Sequence, residues 1–121
     1  MLQLSNLMSL DRKYKVKHIY IGEDDVQEWT QGVGKLTLMP LMFRGIKKII
    51  ELNLKKYHFA RVECIIRTEK KAFDFYVKED GIWDSLEKVM EWAIDEEEYE
   101  MCSKIKKVQE RLYNEDISYR G

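Results

Sequence analysis

One proline and six glycines are scattered through 121 residues, and no stretch is rich in proline, glycine or serine. The chain therefore has no composition from which a linker between domains is built. No repeat recurs along it, which excludes solenoid and propeller architectures. Cysteine is scarce: Cys64 and Cys102 each stand alone in an apolar pattern, and the only histidines are His18 and His58. No metal-ligand spacing or CxxC pair links them. The expectation is no metal, no cofactor and no catalytic set, with two reduced thiols acting as small hydrophobes.

An excess of charge of one sign is missing too. Lys+Arg 21 against Asp+Glu 22 leaves a formal net charge of -1, so no global field draws the chain to nucleic acid or to an anionic membrane. A charged partner has to be met by a local patch. No apolar run approaches the roughly 20 residues that span a bilayer. The start Met1-Leu2-Gln3-Leu4 lacks the basic and apolar regions of a signal peptide. The chain is accordingly expected to be cytoplasmic and to make no membrane contact.

What is present is a hydrophobic fraction of 45% and a charged fraction of 36%, enough for one core and a well-covered surface. A single domain over 1–121 is expected. Its first part, 1–12, reads as an arm or a short helix using Leu4, Leu7 and Met8. Lys13 to Ile21 reads as a strand by its alternation. Val26 to Thr30 fits a strand or a short helix; the strand is preferred because Gly32-Val33-Gly34 then makes a hairpin to a further strand, Lys35 to Met39. Pro40 is then placed at the start of a helix, whose apolar arc holds Met42, Phe43, Ile46, Ile49, Ile50 and Leu54. Phe59–Arg67 and Ala72–Lys78 alternate clearly and form an antiparallel hairpin joined by Thr68-Glu69-Lys70-Lys71. From Ile82 a helical stripe runs through Trp83, Leu86, Val89, Met90, Ala93 and Ile94, and resumes at Met101, Ile105, Val108 and Leu112. The C-terminal helical region, 82–114, is thus one long helix or two broken near 95–99. The expected class is α+β, with a mostly antiparallel sheet in the order β-β-β-α-β-β-α and helices on one face.

Chemical motifs fail on inspection. Gln31-Gly32-Val33-Gly34-Lys35-Leu36 resembles a phosphate loop, but Trp29 stands where the first glycine belongs and Leu36 where Ser or Thr belongs. Glu23-Asp24-Asp25 and Asp95–Glu98 lack the alternate-oxygen spacing and glycine of a calcium loop. They read as solvated acidic surface, although the second run, beside Tyr99 and Glu100, could imitate a phosphate backbone and occupy a basic groove.

Two surface features remain. Trp92 falls off the stripe of its own helix, beside Ser85 and Lys88 on a face expected to be wet. Tyr99, Cys102 and Tyr113 form a second band apart from Met101, Ile105, Val108 and Leu112. A helix with two apolar sides needs a second surface to cover it, and Trp and Tyr are frequent interface anchors. The leading expectation is a small non-enzymatic protein-binding module acting through its C-terminal helical region, on another protein or on itself as an oligomer. A phage- or mobile-element-encoded inhibitor or accessory protein is one concrete form, suggested by Lys/Ile-rich style and by no motif. The alternative is a nucleic-acid-binding accessory protein using the helix stripe Arg44, Lys47, Lys48 and Lys55.

Overall fold

Asp25 decides the first departure from the strand reading. In the computed structural model, which describes residues 16–115, the Asp25 carboxylate accepts the Glu28 N–H at 3.0 Å, and its carbonyl accepts the Trp29 N–H at 2.9 Å. That is an N-cap, and residues Val26–Gln31 form a helix, α1, where a strand was expected. Gly32-Val33-Gly34 is then a joint between helices and not a hairpin: the Gly34 N–H donates to the Trp29 carbonyl at 2.7 Å.

The following helix, α2, spans Lys35–Leu52. The expected strand Lys35–Met39 is its first turn and beyond, and Pro40 lies inside it instead of opening it. Proline lacks an N–H and therefore leaves the Leu36 carbonyl without its helical donor. Leu38, Phe43, Ile46 and Ile49 are buried on its inner face, and that packing outweighs the local defect. Each fully buried aliphatic side chain contributes roughly 1.5–3 kcal/mol.

The strands are β1 (Lys17–Tyr20), β2 (Lys56–Ile66) and β3 (Glu69–Lys78). They form one sheet in the order β1-β2-β3, with β1 parallel to β2 and β2 antiparallel to β3. The class is α+β as expected. The sheet, however, is mixed, and the described order is β-α-α-β-β-α-α, because α1 and α2 form the crossover that two parallel strands require. The expected arm 1–12 and the first residues of the expected first strand lie outside the described residues.

The β2–β3 hairpin stands where the alternation placed it, but its turn is shorter. Ile66 pairs with Glu69, leaving only Arg67 and Thr68 between the strands, at φ 50 and φ 68. Two successive left-handed residues make the mirror-image turn that follows strand twist. Near the other end of β2, Phe59 is an extra residue between the pairs His58–Tyr76 and Ala60–Phe75. This bulge lets Phe59 and Ala60 both face the helices, and both are buried. Gly45 brings α2 close: a Cβ there would lie 3.1 Å from the Tyr57 ring and 3.5 Å from Val77.

The C-terminal region is two helices, α3 (Ile82–Asp95) and α4 (Tyr99–Glu115). The break uses Glu97 at φ 56, with the Glu97 N–H donating to Ile94 at 3.1 Å and the Glu98 N–H to Ala93 at 2.8 Å. These are the two bonds of a Schellman stop. Ile82, Leu86, Val89 and Ala93 of α3 join the core with Ile105 and Leu112 of α4. No described helix is long and apolar enough to cross a membrane.

Candidate functional site

The four residues expected at an interface do not share one fate. Trp92 is buried, at 8% exposure, within the core cluster, and the wet face expected for it is corrected. The cause is the early start of α2: Leu36 and Met39 form the opposite wall of a cleft that Trp92 lines. With residues 35–39 read as strand, no helix stood there to cover the indole. Tyr99 and Tyr113 are 69% and 65% exposed, and Cys102 is half-buried. On the α4 wheel Tyr99 and Tyr113 fall on nearly one line, about 21 Å apart along the axis. The sealed stripe Ile105 and Leu112 sits well to one side of that line.

The α2 stripe is less free than its sequence suggests. Lys47 lies over the Phe43 ring at 5.2 Å. Lys48 approaches Glu51 at 4.0 Å, and Lys55, beyond the helix end, approaches Glu79 at 4.0 Å. Arg44 is exposed. Two of the four cations therefore sit beside a carboxylate.

The sheet face away from the helices holds polar chemistry that sequence reading did not single out. Asp74 lies 2.9 Å from His58 Nε2 and 3.4 Å from Arg61 Nη1. The His58 ring stacks on Tyr76 with centroids 4.6 Å apart. Although close to Asp74, His58 Nε2 makes no well-directed hydrogen bond, so the two are near neighbours and not a positioned dyad. His18 is in register with Arg61 on the same face. Cys64 is fully buried on the opposite face with Ala60 and Val62, so the structure does not bring His18, His58 and Cys64 together. Cross-strand pairing was the missing signal, because a residue's neighbours on a sheet depend on register.

Glu63 and Lys70 form the shortest ion pair among the described residues, at 2.7 Å. The Lys70 ammonium holds the Glu63 carboxyl below its ordinary value, partial burial opposing it, and Glu63 in turn raises Lys70. No cluster of His, Cys, Asp and Glu among the described residues has the geometry to hold a metal ion.

The cleft beside Trp92 has a volume of about 480 Å³. Gln31, Lys35, Leu36 and Met39 form one wall, and Lys88, Glu91, Trp92, Asp95 and Glu96 the other. The Trp92 indole nitrogen is buried with no acceptor, which costs about 1–3 kcal/mol for an unsatisfied donor. No family model, curated protein or solved structure matches the chain.

Proposed function

We propose that the chain is a small non-enzymatic binding module, an accessory or inhibitor protein that engages another protein through its C-terminal helical region. The exposure of Tyr99 and Tyr113 along one line of α4 supports this reading. The helix that carries them is anchored on α3 by Ile105 and Leu112, so the two rings are presented on a fixed support. Tyrosine offers a large amphipathic contact at low entropic cost, which suits an anchor.

The test is a pull-down from the native host with wild type, the pair Tyr99→Ala/Tyr113→Ala, and the pair Lys47→Glu/Lys48→Glu, alongside light scattering of each. A stoichiometric companion, or a dimer, that the tyrosine pair loses and the lysine pair keeps is the expected result. Loss with the lysine pair alone supports the nucleic-acid alternative and overturns the proposal. A wild type that stays monomeric and retains nothing overturns it as well.

A further inference from the structure

The Trp92 cleft opens beside the most acidic end of the molecule. Its own lining has Lys35 and Lys88 against Glu91, Asp95 and Glu96, and the adjoining turn and helix start add Glu97, Glu98 and Glu100. None of these carboxylates has an ion pair among the described residues. Carboxylates alone would be an ordinary solvated surface. Here three of them, Glu91, Asp95 and Glu96, line a concavity of a size that takes a side chain and part of a backbone, with exposed Leu36 and half-buried Met39 in its wall. The wall also contains Trp92, more than nine-tenths buried, whose indole N–H lacks an acceptor.

We infer that this cleft receives a basic segment of the partner protein: one apolar side chain against Leu36, Met39 and Trp92, flanked by Lys or Arg facing Glu91, Asp95 and Glu96. The inference rests on the reading of the chain as a protein-binding module and names the partner's chemistry. Charge complementarity favours a cationic occupant: the lining holds three carboxylates against two lysines, the adjoining residues add Glu97, Glu98 and Glu100, and a like-charged occupant would be repelled.

Three blocked peptides test it against the full chain by amide and indole N–H chemical shifts: Lys-Arg-Leu-Lys-Arg, its glycine-centred form Lys-Arg-Gly-Lys-Arg, and Glu-Glu-Leu-Glu-Glu. The leucine-centred basic peptide is expected to shift the Trp92 indole and the amides of 31–39 and 88–96 saturably, and to weaken as added salt screens the charges. The glycine form should bind at least about tenfold more weakly, as a lost apolar anchor implies, and the acidic peptide should shift nothing. The triple variant Glu91→Gln/Asp95→Asn/Glu96→Gln, with its melting temperature as a control, should lose the basic peptide. No shifts, equal shifts from the acidic peptide, or an unaffected triple variant overturn the inference. Shifts confined to Tyr99, Lys106 and Tyr113 overturn the cleft while leaving the α4 reading intact. Cleft binding alongside a tyrosine pair that keeps its partner does the reverse.

Discussion

Gly34→Ala tests how α1 is joined to the rest of the molecule. Gly34 has φ -65, a helical value that any residue adopts, so backbone freedom is not why glycine is there. Alanine would on that ground alone stabilise by about 0.4–1 kcal/mol. Space decides otherwise. The added Cβ would sit 2.5 Å from the Trp29 carbonyl oxygen and 2.6 Å from two carbons of its ring. The ring can turn aside, but the carbonyl accepts the Gly34 N–H and cannot retreat without breaking that bond. An overpacked contact of this kind costs about 1–3 kcal/mol, and the net loss should be about 1–2 kcal/mol after the gain in the unfolded state. Chemical denaturation and thermal melting of the variant read it directly, at about 3–6 °C per kcal/mol for a chain of this size. Gly81→Ala is the control for space, since nothing lies within 4 Å of its Cβ; its loss should stay under about 1 kcal/mol, the difference between glycine and alanine as the cap of α3. Adding Trp29→Leu to Gly34→Ala should recover only part of the loss, because the carbonyl remains. A Gly34→Ala protein as stable as wild type would refute the close approach and, with it, the placement of Leu36 and Met39 in the cleft wall.

Other perturbations follow from the same geometry. Glu97→Gly should stabilise by about 0.5–1 kcal/mol, because glycine occupies the left-handed stop between α3 and α4 without strain; an unchanged urea midpoint would contradict that stop. Trp92→Ala should cost about 3–5 kcal/mol, as buried aromatics do, so it is unsuitable as a binding probe; a loss under about 1 kcal/mol would mean the indole is not in the core. The Glu63–Lys70 pair gives a pH signature of fixed sign. With the Glu63 folded value depressed, its contribution is present above the ordinary glutamate value and fades as pH falls through the lowered one. The Lys70 value is raised, so its share is present below the ordinary lysine value and fades as pH rises through the raised one. Carbon-detected titration should show Glu63 moving back up in Lys70→Gln, and a value that stays put would remove the pair.

The elements legible in the sequence were those whose period is unambiguous. The α4 stripe buried the side predicted, and the β2–β3 alternation and the α3 stripe did so in the main, although Ile66, Phe73 and Ile94, expected inside, are exposed. The misreadings share a cause: residues Val26–Thr30 and Lys35–Met39 flank Gly32-Val33-Gly34, which imitates a hairpin locally, while the deciding interactions are an Asp25 cap and a glycine pressed on Trp29. Neither leaves a periodic trace. The parallel pairing of β1 with β2 was missed through the same error, since a crossover was divided into strands. At the candidate site, Tyr99 and Tyr113 were readable from one helix wheel. The burial of Trp92 was not, because it depends on a wall supplied by another helix. The helix break fell inside the 95–99 window left open by the sequence, but its left-handed residue Glu97 was not readable, glutamate being a poor resident of such backbone.

The bulge in β2 means that the chain carries one residue more than its sheet requires. Tyr57 and Val77 pair on the inner face, as do Ala60 and Phe75, and Phe59 stands outside this arithmetic. Excising Phe59 would leave Tyr57, His58, Ala60 and Arg61 alternating without a fault, whereas a deletion within 61–65 would turn the inner and outer faces of part of the strand inside out. Phe59 thus holds no structural rhythm. It serves as ballast, its ring set 6.3 Å from that of Phe75, and this sheet can lose a residue there without losing its sense of inside and outside.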